Sequence, residues 1–147
     1  MEFLRRTLTS LFINGDVTPE EFNKWKRQAI TGDAVGQYNM GQCYRQGLNC
    51  TKDLSEAAMW YKRAAAQGYV AAQYNLGACY ANGEGVLQDS VEAYAYFNLA
   101  GLTDEDARRL RDWLSKKMTP SQIEAGQERS KELQKQIEAR KKDEDNE

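Results

Sequence analysis

The sequence predicts an all-α fold assembled from repeated helix pairs, with further helices capping each end. Three observations lead to this prediction. The chain repeats itself at an offset of 36 residues. Apolar and small residues within each copy recur at the spacing of one helix face. Both prolines of the chain directly follow a threonine, an order that is typical of a helix start.

The repeat is visible when residues 34–64 are aligned with residues 70–100 without a gap, because 11 of the 31 positions are then identical. An incomplete earlier copy runs from Trp25 to Gly32, which match Tyr61 to Gly68 in type and spacing. One helix pair cannot bury its own apolar face, so such a chain needs stacked neighbours and capping helices. These properties predict a helical repeat protein.

Each copy is expected to contain two helices joined by a short loop. Gly47 lies where a left-handed residue ends the first helix, and Asp53 with Glu56 has the spacing of a capping box that opens the second. The loop of the second copy needs a left-handed residue at Gly85. Asn49, which tolerates this conformation best after glycine, stands at the same place in the first copy.

The flanking segments are also expected to be helical, with starts at Thr18–Pro19, at Thr103–Asp106 and at Thr119–Pro120. The predicted inward face of the middle one consists of Ala107, Leu110, Trp113 and Leu114. The repeat region is expected to span residues 18–101. The predicted segments are a capping helix at 1–17, a half repeat at 18–32, full repeats at 33–68 and 69–101, capping helices at 102–126 and a charged helical or frayed tail at 127–147.

Composition argues against several classes of function. The chain has 147 residues, with 20 Lys and Arg, 22 Asp and Glu and no histidine. The formal charge of −2 argues against a nucleic-acid binder, and the absence of histidine removes Ser-His and Cys-His catalytic pairs and His-containing metal sites. The three cysteines, Cys43, Cys50 and Cys79, form no CxxC pair. We therefore expect no catalytic residues, no cofactor and no metal, and a reducing, cytoplasmic compartment. The alternative is a periplasmic or secreted protein from which a signal peptide has been removed.

Residues 72–89 read AQYNLGACYANGEGVLQD, and residues 60–68 read WYKRAAAQG. These segments resemble the Sel-one-like repeat, a relative of the tetratricopeptide repeat. Residues 107–112 and 118–123 resemble the helical end piece that often closes bacterial proteins of this family. The resemblance implies a right-handed α-solenoid that binds partner proteins or peptides and seldom catalyses a reaction. The cysteine positions do not reproduce the paired cysteines of a secreted branch of the family.

In tetratricopeptide-like solenoids the first helix of each pair lines the concave wall, so the resemblance places the partner-binding surface there. The candidate residues are Val35, Tyr38, Asn39, Gln42, Arg45, Tyr74, Asn75 and Asn82. The amides of Asn39 and Asn75 can bond the backbone of an extended peptide, or they can bond a neighbouring helix and set the stacking angle. Arg45 is a candidate for binding an acidic group of the partner, or it is an ordinary surface charge. Gln37 and Gln73 lie on the core stripe, where a structural hydrogen bond is expected.

The predicted function is that of a non-catalytic adaptor or scaffold that binds a partner protein or peptide on the concave face. A first alternative is self-assembly, in which Ile123, Leu133 and Ile137 of the last helix pair with a second copy. A second alternative is attachment to a membrane surface through Met1–Ile13, where apolar residues form one helix face. The same face suits a capping helix, so membrane contact is the less favoured alternative. The oligomeric state stays open at this point.

Overall fold

The computed structural model describes residues 16–147, and within this range it contains helices, turns and loops but no strand. The predicted all-α solenoid is confirmed. The predicted capping helix at 1–17 lies outside the described residues except for its last two positions. The helices of the described range are α1 (Pro19–Ile30), α2 (Ala34–Gln46), α3 (Leu54–Ala66), α4 (Val70–Asn82), α5 (Ser90–Ala100), α6 (Glu105–Ser115) and α7 (Pro120–Asp145).

Consecutive helices from α1 to α6 pack against one another along the chain. Helices α2 and α4 are the first helices of the two full repeats, and α3 and α5 are the second helices. Helix α1 takes the place of a second helix in the half repeat. Helix α6 follows α5 as a further first helix. Each apolar stripe is therefore covered by the next helix, as a stacked repeat requires.

Helices α1, α3 and α7 begin at the predicted capping residues, which are Thr18, Asp53 and Thr119. The Thr18 hydroxyl accepts the backbone N–H of Glu21 at 3.2 Å, and the Thr18 backbone N–H donates to the Glu21 carboxylate at 2.9 Å. Thr119 and Gln122 repeat this capping box at the start of α7, with the same two distances. The Asp53 carboxylate accepts a first-turn N–H at the start of α3. Each such cap stabilises the protein by about 1 kcal/mol.

The loops between paired helices contain residues in the left-handed conformation at the predicted positions. Gly47 ends α2 with φ +71° and Gly83 ends α4 with φ +67°. Two residues later in each loop, a second left-handed position follows at Asn49, with φ +56°, and at Gly85, with φ +74°. Asn49 has the only positive φ among the non-glycine residues of the described range. The turn chemistry therefore repeats together with the helices.

A glycine in each first helix lets an aromatic ring of the second helix lie directly on its backbone. A Cβ at Gly41 would lie 2.5 Å from the Tyr61 ring, and a Cβ at Gly77 would lie 2.7 Å from the Phe97 ring. Both distances are too short for any side chain. Because Tyr61 and Phe97 occupy the same repeat position, this close contact is a shared feature of the two helix pairs.

Successive repeats are joined by a repeated hydrogen bond. The Gln37 side-chain amide donates to the backbone carbonyl of Ala29 at 3.3 Å, and the Gln73 amide donates to that of Ala65 at 3.4 Å. Both glutamines are buried. The expected structural role of Gln37 and Gln73 is therefore confirmed, and each glutamine holds a first helix against the preceding second helix.

Helix α7 continues through residue 126, where the sequence places the boundary between capping helices and tail. It packs along α5 and also reaches α3. Leu133 and Ile137 are 7% and 5% exposed and belong to the same core cluster as Tyr61. These two residues, assigned to a second copy in the self-assembly alternative, are thus covered within the chain. Sparse apolar positions in a charged helix suffice here because they all face α5 and α3.

The inward face predicted for α6 is correct at Ala107, Leu110 and Leu114, which are buried. It is wrong at Trp113, which is 42% exposed. The ammonium group of Lys117 lies 3.8 Å from the centre of the Trp113 ring. Adjacent residues of a helix differ by about 100° in direction, so only one of Trp113 and Leu114 can face α5 directly.

Candidate functional site

The first helices α2, α4 and α6 meet around a groove of about 150 Å³. We call it the first-helix groove, and its lining residues are Tyr38, Ala71, Tyr74, Asn75, Asp104 and Asp106. The second helices α3 and α5 lie on the other side of the solenoid, where α7 packs against them. The groove therefore lies on the face for which the sequence predicts partner binding.

The remaining candidate residues divide between surface and interior. Val35 is 48% exposed, Asn82 is exposed and Asn39 is half-buried. Gln42 and Arg45 are only 2% and 7% exposed. Three of the candidates thus line the groove, three others reach the surface of α2 and α4, and two are interior. Among the groove-lining candidates, Tyr74 is 6% exposed and Asn75 is 1% exposed, whereas Tyr38 is half-buried and offers a partner more surface.

A buried hydrogen-bond network lies beneath the groove and is centred on Gln42. The Gln42 amide nitrogen donates to the Tyr38 hydroxyl at 3.1 Å. The Gln42 amide oxygen accepts from the Asn75 amide at 3.3 Å and also from the Tyr61 hydroxyl. The network connects α2, α3 and α4. Its members satisfy one another, which is what permits so many polar groups in the core.

Asn75 belongs both to this network and to the groove. Its side chain is 1% exposed, so it forms the groove floor and offers a partner almost no surface. The bond to Gln42 joins α4 to α2. In the structure, therefore, the Asn75 amide bonds a neighbouring helix, which is the second of the two alternatives given for it. Within residues 16–147, the side chain of Asn39, the equivalent residue of the first copy, forms no such bond.

The phenols of the network remain protonated at neutral pH. Burial raises the pKa of Tyr38, and a hydrogen bond with the Asn75 side chain partly offsets this effect. Burial also raises the pKa of Tyr61, while the nearby charge of Arg45 acts in the opposite direction. Loss of solvation disfavours the charged phenolate in both cases. Both hydroxyl groups are therefore neutral hydrogen-bonding groups rather than bases or nucleophiles.

The sequence makes Arg45 either a candidate contact for an acidic partner or an ordinary surface charge, and the structure shows neither. Its guanidinium group lies 3.0 Å from the carboxylate of Glu84, which is in the loop between α4 and α5. Arg45 is 7% exposed and Glu84 is 35% exposed. The acidic partner of Arg45 is thus within the chain. Glu84 is 39 residues away in sequence, so spacing alone did not reveal the pair.

The groove also contains two carboxylates that the sequence interpretation missed. Asp104 caps α6 through the backbone N–H of Ala107 at 2.9 Å, and Asp106 lies in the first turn of that helix. The missed signal was the repeat offset itself, because the first residues of α2, α4 and α6 are residues 34, 70 and 105, at nearly equal intervals. Continuing the register by one more unit would have placed α6 beside α4 as a further first helix.

The cysteines lack the properties of catalytic thiols. Burial raises the pKa of Cys43 to about 12 and that of Cys79 to about 11. Cys50 is half-buried, and burial raises its pKa as well. Since the thiolate is the reactive form, none of these groups is activated. Residues 16–147 contain no cluster of three or more ligating side chains that could hold a metal ion.

The boundaries of the two full repeats agree with those of a known repeat family. The model of the Sel1 repeat family matches residues 34–69 and 70–102, which begin at α2 and at α4. This chain is a Sel1 repeat protein. Sel1 repeat proteins generally act as protein-interaction scaffolds. No curated protein matches this Sel1 repeat protein significantly.

The solved structures that are similar to this Sel1 repeat protein include two bacterial proteins. A protective antigen of uropathogenic Escherichia coli with an SLR fold is 32% identical, with a TM-score of 0.77 over 80% of the chain. A Sel1 repeat protein from Oxalobacter formigenes is 36% identical, with a TM-score of 0.60 over 61% of the chain. The chain spans only 26% of each of those structures. No helix within residues 16–147 is both long and apolar enough to cross a membrane.

Proposed function

We propose that this Sel1 repeat protein is a non-catalytic scaffold that binds a partner protein or peptide in the first-helix groove. The observation that carries the proposal is the convergence of three first helices on one recess lined by Tyr38 and Tyr74. Tyrosine is enriched in binding surfaces because it combines apolar area with a hydrogen-bonding tip. The general role of Sel1 repeats as interaction scaffolds supports the same function.

The buried network favours a preorganised site. Tyr38 is held through Gln42, and Tyr74 packs edge-on against Phe97 with ring centres 6.1 Å apart. Both rings are thus fixed before a partner arrives. A fixed ring loses little conformational entropy on binding, which increases affinity.

The substitution Ala71→Trp tests the proposal, because it fills the groove and leaves the network intact. Ala71 lines the groove and is half-buried, whereas Ala139 is exposed near the far end of α7. Ala139→Trp is therefore a matched control. Peptides selected on the immobilised wild-type protein from a displayed random library should bind the Ala139→Trp control equally. Their affinity for Ala71→Trp should fall by about tenfold or more, as expected when an anchor pocket is filled.

The location of binding is measured by amide chemical shifts of the labelled protein. Selected peptides are expected to shift signals of α2, α4 and the first turn of α6. Peptides that bind Ala71→Trp as well as the wild type, or that shift only α5 and α7, would contradict the proposal. Circular dichroism of both tryptophan variants checks that the helices remain formed.

A further inference from the structure

The first-helix groove combines aromatic rings with carboxylates. Tyr38 and Tyr74 contribute the rings, and Asp104 and Asp106 contribute the carboxylates, while no Lys or Arg is among the lining residues. The face of an aromatic ring attracts a cation, and a carboxylate forms charge-assisted hydrogen bonds with one. The two kinds of wall therefore favour the same chemical group.

We infer that the groove binds a cationic side chain, Arg or Lys, of the partner peptide. This inference rests on the proposed function and names the chemistry of the partner. The charge of the groove is complementary to such a side chain. The volume of about 150 Å³ admits one extended side chain rather than a folded ligand.

The carboxylates retain capacity for a ligand after their contacts within the chain. Asp104 uses one oxygen for the N–H of Ala107 at 2.9 Å. Asp106 forms an ion pair with Arg109, whose guanidinium group lies 3.6 Å away, and the Asp106 side chain is 55% exposed. Arg109 forms its shorter contact, 2.7 Å, with Glu105. Because an ionised carboxylate has about four acceptor sites, both aspartates can accept further donors.

The first two repeats emphasise how local this charge is. Asp104 is the N-cap residue of α6, and the N-cap residues of α2 and α4 are Asp33 and Tyr69, neither of which lines the groove. The positions equivalent to Asp106 are the uncharged Val35 and Ala71. The carboxylates thus enter the groove only from α6. A bound peptide would place its cationic residue at the α6 end and neutral residues along α2.

The inference is tested with two synthetic probes that differ only in charge. The probes are acetyl-Gly-Arg-Gly-amide and the same peptide with citrulline, which replaces the guanidinium group by a neutral urea. The arginine probe should give saturable amide shifts at Tyr38, at Tyr74 and in residues 104–107. The citrulline probe should bind about tenfold or more weakly, the effect expected for a lost charge-assisted contact.

Variants remove the charge of the groove without removing the cap. Asp104→Asn combined with Asp106→Asn should weaken the arginine probe by about tenfold or more, since asparagine caps a helix as well as aspartate does. Glu105→Gln is the matched control, because it removes one carboxylate of the same helix turn that does not line the groove. It should retain the wild-type affinity. Circular dichroism confirms that α6 remains helical in both variants.

Three results would overturn the inference. These are equal binding of both probes, full binding by the double variant, and shifts confined to other surfaces. Failure of the proposed function is distinguishable from failure of the inference. If library peptides without Arg or Lys bind the groove and lose affinity in Ala71→Trp, the scaffold function stands and the cationic partner is wrong. If no peptide reaches the groove, both fail.

Discussion

Asn75 and Asn82 show how one residue type serves two purposes on the same helix. Asn75 is 1% exposed and bonds Gln42 across the α2–α4 contact, while Asn82 is exposed at the last turn of α4. Removing a buried donor leaves its acceptor less satisfied and costs more than the bond itself contributes. The buried amide of Asn75 is therefore expected to contribute more to the free energy of unfolding than the exposed amide of Asn82.

Asn75→Ala is expected to lower the free energy of unfolding by about 1–3 kcal/mol, because it removes a buried hydrogen bond and leaves a small void. Asn82→Ala should change it by less than about 0.5 kcal/mol. Urea denaturation followed by circular dichroism measures both. An Asn75→Ala protein of wild-type stability that no longer binds selected peptides would show that Asn75 is a direct partner contact.

At the scale of helices, α7 acts as a brace across the repeats. Its Arg129 lies 2.7 Å from Glu92 of α5, and its Ser130 accepts a hydrogen bond from Asn98 at 3.0 Å. Ile137, one turn after Leu133, contacts the α3–α4 turn, where a Cβ at Gly68 would lie 3.3 Å from it. The same helix thus covers the second helices of two successive repeats.

Ile137→Ala tests this brace. It should cost about 2–4 kcal/mol, because it removes most of a buried side chain between α7 and the repeats. Lys135→Ala, an exposed position in the same helix, should change stability by less than about 0.5 kcal/mol. Chemical denaturation measures the two variants side by side. If Ile137→Ala is as stable as Lys135→Ala, α7 does not brace the solenoid.

For the whole molecule, the buried thiols and phenols are expected to lower the free energy of unfolding at alkaline pH. Burial raises the pKa of Cys79 from 9.0 to about 11, that of Cys43 from 9.0 to about 12 and that of Tyr96 from 10.0 to about 12. The unfolded chain releases these protons at lower pH than the folded protein does. The stabilisation that the folded protein gains by keeping these groups protonated is therefore complete below about pH 9. It is lost as the pH rises through the folded-state pKa values.

The free energy of unfolding is expected to fall from about pH 9 upward, by about 1.4 kcal/mol per pH unit for each group titrating only in the unfolded state. Denaturant titrations at several pH values measure this slope. In the triple variant Cys43→Ser, Cys50→Ser and Cys79→Ser, the onset should move to about pH 10, the ordinary range of tyrosine, because burial also raises the pKa of Cys50. An unchanged onset in that variant would contradict a contribution from the three thiols.

The groove is also a property of the whole molecule, and only part of it was predictable. The repeat offset placed Tyr38 and Tyr74 at equivalent positions of successive first helices, so their proximity follows from stacking. Asp104 and Asp106 join them only because α6 takes up the next first-helix position beside α4. The sequence around these aspartates indicates a helix start, where acidic residues are common. It therefore gives no sign that they line a groove.

The sequence by itself determined the features that depend on neighbours along the chain. Capping residues, left-handed loop positions and the apolar spacing of each helix act within a few residues, so their pattern is readable. The 36-residue repeat then implied that equivalent helices stack in equivalent ways. Gly41 and Gly77 show this, since both seat an aromatic ring.

Only the tertiary structure decided which groups meet across repeats, because such contacts join residues distant in sequence. Asn49 and Gly85 share a left-handed conformation, yet the Asn49 amide bonds the carbonyl of Val17, while a Cβ at Gly85 would lie 2.0 Å from that of Leu54. The same local rule thus permits a side chain in one copy and forbids it in the other. The buried Gln42 network, the Arg45 ion pair and the packing of α7 were decided in the same way.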